Sequence, residues 1–369
     1  MSLQCGIVGL PNVGKSTLFN AVLSKVKAQA ANYPFCTIDP NVGVVEVPDE
    51  RLQKLSEIIK PNRVVPTTFE LVDIAGLVKG ASQGEGLGNQ FLSHIKDCHA
   101  VAQVVRCFDD DDVIHVGGSV DPIRDIEIIE TELMLADMSI VEKRIERIQK
   151  IAKSGDKSAL IQMAYLNRLK EALNAGKPAR TVSATPEELA TVKDVQLITT
   201  KPMLYVGNIN ESTAGSGSEL SNPHYKKLKE YAETKGARVI PICAKVEAEL
   251  AELGPEERIE FLKSLGISSS GLTKLIQAAY ELLGLRTYFT AGVQEVRAWT
   301  IQSGWKAPQA AGVIHTDFER GFICAETYHY NDLLKIGTPA KVKEQGLLRL
   351  EGKEYEVKDG DVMLFRFNV

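Results

Sequence analysis

Short apolar runs separated by stretches of helical period organise most of this chain. Leu3–Leu10 reads as a buried strand, and a Gly/Pro/Asn loop then leads into a helix over Lys15–Lys25. Thr68–Val72, Val101–Phe108, Met203–Val206 and Arg238–Ile242 repeat the buried-strand pattern, with helical stretches between them. Such alternation predicts a parallel sheet covered on both faces, the α/β class. One segment breaks the rhythm. From Asp125 to Ala175, the residues Ile126, Ile129, Leu133, Ala136 and Ile140 recur at helical spacing, and Ile145, Ile148 and Ala152 continue the stripe after a one-residue shift. Lys153-Ser-Gly-Asp156 makes a turn, and Met163, Leu166, Leu169 and Leu173 form a second stripe. The pattern predicts an inserted antiparallel coiled-coil hairpin that projects from the sheet domain, ahead of the plainer alternative of two ordinary helices lying on that domain. After a helix over Gly271–Leu283 the texture changes. Val296–Ile301, Phe322–Thr327, Leu347–Leu350 and Met363–Phe367 alternate as strands, with turn chemistry at Glu351–Glu354 and Lys358–Asp361 and little regular helix. The expected organisation is a sheet domain over 3–259 with a helical insertion at 125–199, connecting helices over 260–284, and a small α+β domain over 285–369.

Composition narrows the class of partner. The 369 residues suffice for two or three domains with full cores. Apolar residues are 44% and charged residues 25%, an ordinary globular balance. A net charge of -5 argues against bulk attraction to nucleic acid, and against DNA as a specific partner, while allowing a local basic patch. The six cysteines form no C-x-x-C pair, as expected of reduced thiols in a cytosol. The N-terminus has no charged region ahead of its apolar run, and no run approaches the roughly 18 residues of a membrane span. A cytoplasmic protein without membrane attachment is expected.

The first strand-to-helix junction carries the clearest chemistry. Gly9-Leu-Pro-Asn-Val-Gly14-Lys15-Ser16-Thr17 fits G-x-x-x-x-G-K-S in the strand–loop–helix context that the motif requires. Glycines let the backbone curl so that N–H groups face phosphate oxygens, and the helix N-terminus adds its dipole. Asn12, Val13, Gly14, Lys15, Ser16 and Thr17 are thus expected to hold a nucleotide, with Lys15 on the β- and γ-phosphates and the Ser16 hydroxyl on Mg²⁺. Downstream, Asp73-Ile-Ala-Gly76 ends an apolar strand as D-x-x-G does in switch GTPases. Asp73 is expected to hold Mg²⁺ and the Gly76 N–H to sense the γ-phosphate. Thr37, in Tyr33-Pro-Phe-Cys-Thr37, is expected to complete the metal shell. Leu77 follows Gly76 where Ras-like proteins carry the water-orienting Gln, so another group must position water. Gly80, Gly84, Gly86 and Gly88 suit the following segment to a second switch. His115, after a strand end and before Gly117-Gly118, is a candidate for proton transfer, although residue chemistry alone favours an ordinary loop histidine beside the acidic run Asp109–Asp112.

Base recognition should fall at Tyr-Val-Gly-Asn208-Ile209-Asn-Glu211, where a GTPase reads N-K-x-D. In that motif an aspartate accepts two hydrogen bonds from guanine. Glu211 is one methylene longer, so its oxygens are misplaced for that two-point contact, and Ile209 replaces the lysine stem. Adenine offers an N1 lone pair that a carboxylate would repel, so adenine binding requires Glu211 to turn away. Asn208 and the Ile209 backbone remain to meet the base. Mismatched buried polar groups cost about 1–3 kcal/mol each, enough to remove a large guanine preference. The residues predict relaxed or adenine specificity. Cys243-Ala-Lys245 stands where GTPases have S-A-K, placing Cys243 near the base.

GLPNVGKST, NYPFCTIDPN, DIAGLVKGASQGEGLGNQFL and TYFTAGVQEVRAWT together resemble the YchF/Obg-like ATPase family, from about Gly6 to the C-terminus. The resemblance implies an Obg-type P-loop domain with an inserted coiled coil and a C-terminal TGS domain of β-grasp type. It implies ATP rather than GTP, with ADP as product, and a ribosome-associated regulator of translation, with the large subunit or the whole ribosome and its RNA as partners to a monomer. It carries nucleotide binding onto Asn12–Thr17, Mg²⁺ onto Ser16 and Thr37, and a hydrolysis-assisting histidine onto His115, with Lys15 as its catalytic partner at the phosphates. K⁺ at Asn12, as in K⁺-stimulated relatives, stays an open question. Two rivals stay open: a GTPase of relaxed base specificity in ribosome assembly, and a nucleotide-gated RNA- or protein-binding adaptor with incidental turnover.

Weaker signals read as ordinary structure. His94 and Cys98 share metal-capable spacing but have no second ligand pair nearby. Lys143, Arg147, Lys150, Lys153 and Lys157 line one edge of the predicted hairpin, interleaved with acids as on a solvated face. Trp299 suits a core position, and Cys36 a bystander thiol.

Overall fold

The computed structural model describes residues 3–30, 41–74, 87–110, 112–113, 115, 117–215 and 217–368, with 25–30 and 87–90 described by backbone alone. Thr37, Gly76, Leu77, Cys36, Gly80, Gly84 and Gly86 lie outside the described residues. The described strands are β1 (Gln4–Gly9), β2 (Val42–Glu46), β3 (Arg63–Val65), β4 (Thr68–Asp73), β5 (Ala100–Arg106) and β6 (Met203–Asn208). They continue with β7 (Arg238–Ile242), β8 (Leu285–Ala291), β9 (Glu295–Gln302), β10 (Phe322–His329), β11 (Arg349–Glu351) and β12 (Asp361–Phe367). Backbone contacts divide the chain into one unit of residues 1–45 and 70–275 and a second of 46–69 and 276–369.

In the first unit the strand order is β2-β4-β1-β5-β6-β7. β1 runs parallel to β4 and β5, and β5, β6 and β7 continue in parallel. The expected α/β class and phosphate-loop topology are borne out. Because β5 is central, all seven of its residues are buried. The strands β1, β4, β5, β6 and β7 therefore present their C-terminal ends at one edge, where ligands bind in open α/β sheets.

A helix over Pro122–Lys153 starts at the N-cap Asp121, whose carboxylate accepts from the Ile123 and Arg124 N–H groups. Its first half lies on the sheet, with Ile126, Ile129 and Leu133 fully buried and Glu130 accepting from the Tyr205 hydroxyl at 3.0 Å. Its second half meets the helix Lys157–Asn174, capped by Asp156. Val141 and Ile148 pack there with Leu166, Leu169 and Leu173, and the segment from Ala179 to Leu197 joins the same core. The two helices are thus one side of a three-part layer, because the stripe that the sequence shows is wider than a two-helix seam would use. Asp137, fully buried, accepts from the Ile198 and Thr199 N–H groups at 2.8 and 2.7 Å and fastens that third segment.

The second unit has strand order β11-β10-β12-β8-β9-β3. Residues 46–69 were expected with the N-terminal domain. They group instead with the C-terminal strands, for three physical reasons. β3 pairs in parallel with β9, from Arg63 opposite Glu295 to Val65 opposite Arg297. Leu52 and Leu55, on the helix Glu50–Ile59, pack in one core with Phe289, Val296 and Leu333. Arg51 donates to Asp359 at 2.6 Å, and Asp359 in turn accepts from the Thr287 N–H. Four short helices, Ala307–Ile314, Thr316–Arg320, Tyr330–Ile336 and Pro339–Glu344, occupy a region expected to hold little helix. Helices this short give no sustained period in sequence.

Leu166→Ala opens the hairpin core at a side chain with no exposure. It should cost about 2–5 kcal/mol of local stability, read as lost hydrogen-exchange protection across both helices, with nucleotide affinity unchanged.

Candidate nucleotide-binding site

The loop after β1 holds its shape by two left-handed residues, Asn12 at φ 62° and Gly14 at φ 90°. Gly14 is required twice over, since a Cβ there would also lie 2.2 Å from the Asn208 side-chain nitrogen. The helix Lys15–Ala30 begins at once, its first turn closed by the Leu18 N–H on the Gly14 carbonyl. Residues Leu10–Asn12 and Gly14–Thr17 line a cavity of ≈ 430 Å³. The side chains of Ser16 and Thr17 are exposed, while Lys15 is buried and ion-paired with Asp73 at the end of β4.

A second cavity, of ≈ 1000 Å³, shares Asn12, Gly14 and Thr17 with the first and extends past Asn208–Ser212 and Cys243–Lys245. The expected phosphate and base residues therefore share one cleft. Asn208, 4% exposed, donates from Nδ2 to the Val13 carbonyl at 2.9 Å and accepts on Oδ1 from the Ala244 N–H at 3.0 Å. It ties the phosphate loop to the start of the helix Ala244–Glu252 after β7. The Ile209 N–H is committed to the Ile242 carbonyl, so a contact with a base amine would use the Ile209 carbonyl. Glu211 sits at the half-open rim with its carboxylate 3.4 Å from Lys245 Nζ. Cys243 lines the cleft but is nearly buried, and burial pushes its thiol pKa up.

The loop after β5 forms a further wall through Phe108, Asp109, Asp110 and Val113. Sequence reasoning missed the residue that shapes it. Arg106, 2% exposed, donates to the carbonyls of Phe108, Val113 and Asp110 at 3.0, 2.8 and 3.2 Å. A lone arginine ending an apolar run was the available signal. Asn222 adds a bond from Nδ2 to the Cys107 carbonyl at 2.7 Å. His115 follows this wall but lines neither cavity; it is buried, with both ring nitrogens hydrogen-bonded. The candidate for proton transfer is thus held in place by Asp125 and the Gly117 N–H. The His94/Cys98 spacing has a structural use: the Cys98 thiol donates to the His94 carbonyl at 3.3 Å, and burial raises its pKa to about 11. Among the described residues no group of three or more His, Cys, Asp or Glu is placed to hold a metal ion.

A phosphate loop, an acid at the end of the neighbouring strand and a base-side cleft at one sheet edge define a P-loop nucleoside triphosphatase of the GTPase fold. Residues 4–150 match the family described as 50S ribosome-binding GTPase, and residues 285–368 match the YchF-GTPase_C family, described as a protein of unknown function, DUF933. The chain is 60% identical to the ribosome-binding ATPase YchF of Bacillus subtilis (strain 168) over all of both chains. It is 54% identical, again end to end, to the protein of that name from Haemophilus influenzae. The solved Schizosaccharomyces pombe YchF GTPase matches with a TM-score of 0.87 at 42% identity, covering 99% of this chain and 98% of that one. The chain belongs to the YchF family, as its motifs implied.

Asn208→Ala deletes both backbone ties. Two buried groups then lose a partner, and stability should fall by about 1–3 kcal/mol in thermal or urea unfolding. Nucleotide affinity, measured by calorimetry, should fall at least tenfold, because both walls of the cleft are loosened.

Proposed function

We propose that this chain hydrolyses ATP to ADP and phosphate and uses the nucleotide state to regulate an association with the ribosome. Its relatives bear the name ribosome-binding ATPase. The observation that carries adenine is the base end of the cleft. Glu211 leans on Lys245 at the rim, and Ile209 has only its carbonyl to offer a ring substituent. That carbonyl accepts from the adenine N6 amine and repels the guanine O6. An exposed ion pair is worth about 0–1 kcal/mol, so the extra methylene of Glu211 weighs more than the pair itself.

At the phosphate end, Asn12–Thr17 cradle the phosphates with backbone N–H groups and Lys15 supplies the point charge. Mg²⁺ suits the donors at hand, since the exposed Ser16 hydroxyl and the Asp73 carboxylate are hard oxygen ligands, and the sequence motif adds the Thr37 hydroxyl to the proposed shell. When bound, Mg²⁺ would neutralise charge that develops on the phosphates. Lys15 and Asp73 offset each other in their ion pair, and phosphate and metal offer each a separate partner. The Gly76 N–H senses the γ-phosphate, and His115 assists the attacking water in place of the glutamine that Leu77 replaces. Cys243 packs beside the base. Hydrolysis reorders the segments around Thr37 and Asp73–Gly88.

Lys143, Arg147, Lys150, Lys153 and Lys157 are all exposed on the hairpin and suit contact with ribosomal RNA phosphates. Among the described residues no helix is long and apolar enough to cross a membrane. A cytoplasmic monomer is the state proposed.

A second reading has support in names: the fission-yeast relative and the N-terminal family are called GTPases. Competition between ATP and GTP for the purified protein decides, with ATP expected to win at least tenfold. A GTP preference overturns the ATPase reading. Lys15→Ala should abolish turnover. Cosedimentation with ribosomes should differ between a non-hydrolysable ATP analogue and ADP; equal binding with both would remove the switch. Equal rates in K⁺ and Na⁺ would remove K⁺ at Asn12 from the scheme.

A further inference from the structure

His115 and Asp125 form a buried pair whose geometry assigns the proton on the ring. The His115 Nε2 lies 2.8 Å from Asp125 Oδ2, and the side chains are only 5% and 3% exposed. On the opposite side of the ring, the Gly117 N–H points at Nδ1 at 2.9 Å. A backbone N–H can only donate, so Nδ1 is the acceptor and carries no proton. The ring proton is therefore on Nε2 and is donated to the carboxylate of Asp125.

Asp125 is itself held. It lies in the first turn of the helix Pro122–Lys153, where the dipole favours an anion. Its other oxygen accepts from Arg124 Nη2 at 3.2 Å, and Arg124 also binds the Ser119 carbonyl at 2.5 Å, so the turn beyond His115 is fastened to the same helix. The loop between Arg106 and this helix supplies Phe108, Asp109, Asp110 and Val113 to the nucleotide cleft, and His115 is two residues past Val113. The pair thus sits at the end of a wall of the cleft.

We propose that Asp125 is the positioning residue of hydrolysis, and that the nitrogen which accepts the proton from water is Nδ1 of His115. The inference rests on the reading that His115 assists hydrolysis. To bare the Nδ1 lone pair the Gly117 N–H must let go, while Asp125 keeps the ring oriented and in the required tautomer. The water oxygen forms a bond to the γ-phosphorus, and the bond from that phosphorus to the bridging oxygen breaks, its electron pair leaving on ADP. The water proton passes to Nδ1 and from there to solvent. The imidazolium that forms meanwhile is stabilised by its Nε2–H bond to the Asp125 carboxylate. This is the division of labour between histidine and buried carboxylate known from hydrolytic triads, where an amide in place of the carboxylate selects the wrong tautomer.

General base assistance contributes typically 10²- to 10⁴-fold, and less is demanded of it where phosphoryl transfer is dissociative. Asp125→Asn is therefore expected to lower kcat by about tenfold or more, with KM and the affinity for a non-hydrolysable ATP analogue within about twofold of the parent. His115→Ala should lower kcat at least as much, and adding Asp125→Asn to it should slow the enzyme no further. A readout independent of turnover is the ¹⁵N spectrum of the histidines, with His115 identified by its loss in His115→Ala. It should show Nε2 protonated in the parent; in Asp125→Asn, where Arg124 holds the amide oxygen and leaves the amide NH2 to donate to Nε2, the proton should move to Nδ1 at the expense of the Gly117 contact. If His115→Ala leaves kcat intact, the reading beneath this inference fails. If His115→Ala is slow but Asp125→Asn is as fast as the parent, or slows the His115→Ala background further, the role of Asp125 is overturned. Should Asp125→Asn not fold, the parent spectrum still decides, because a proton on Nδ1 would overturn the assignment.

Discussion

Asn208 spends one buried side-chain amide on two stretches of backbone that are far apart in sequence. Its nitrogen holds the carbonyl of Val13 in the phosphate loop, and its oxygen holds the N–H of Ala244 beyond β7. The approach is so close that Gly14 admits no side chain. Phosphate loop, base-side strand and the start of the helix after β7 are thereby tied together through one side chain. The residue most readily read as a base contact is therefore first a structural tie. Its remaining hydrogen and lone pair are what is left for a ligand.

The parallel sheet makes this tie possible. β1, β5, β6 and β7 are in register, with Arg106 opposite Asn208 and Asn208 opposite Ile242, so their C-terminal ends converge on one edge. Three of the segments that leave that edge are pinned by polar side chains of a strand end or helix cap: Asn208 holds those after β1 and β7, and Arg106 and Asn222 hold the one after β5. Each satisfies backbone groups that would otherwise be buried without partners. The same economy holds His115, whose two nitrogens are both engaged within a short distance of the cleft wall.

Much of this was legible in the residues. The phosphate loop announced itself because its spacing is dictated by local backbone geometry, and so did the strands buried on both faces. The helical stripes from Ile126 to Leu173 were visible for a similar reason, since helix periodicity is a local property. Other features were not legible. The helix Glu50–Ile59 and β3 look like part of the N-terminal domain because they lie there in sequence, yet β9 and the Phe289 core claim them. The short helices after Ala307 were missed because a helix of two turns leaves no period to detect.

By itself the sequence determined the class of chemistry: a phosphate loop, an acid at the end of a later apolar strand, and N-I-N-E where GTPases read N-K-x-D. These are short motifs whose meaning is carried by residue type and local spacing. Only the tertiary structure decided what each polar side chain does. It gave Asn208 to the loops, Lys15 to Asp73, Glu211 to Lys245 and His115 to Asp125. The reason is physical. A buried polar group must find a partner, and which partner lies within 3 Å is set by how distant strands and helices pack, a property that no local pattern encodes.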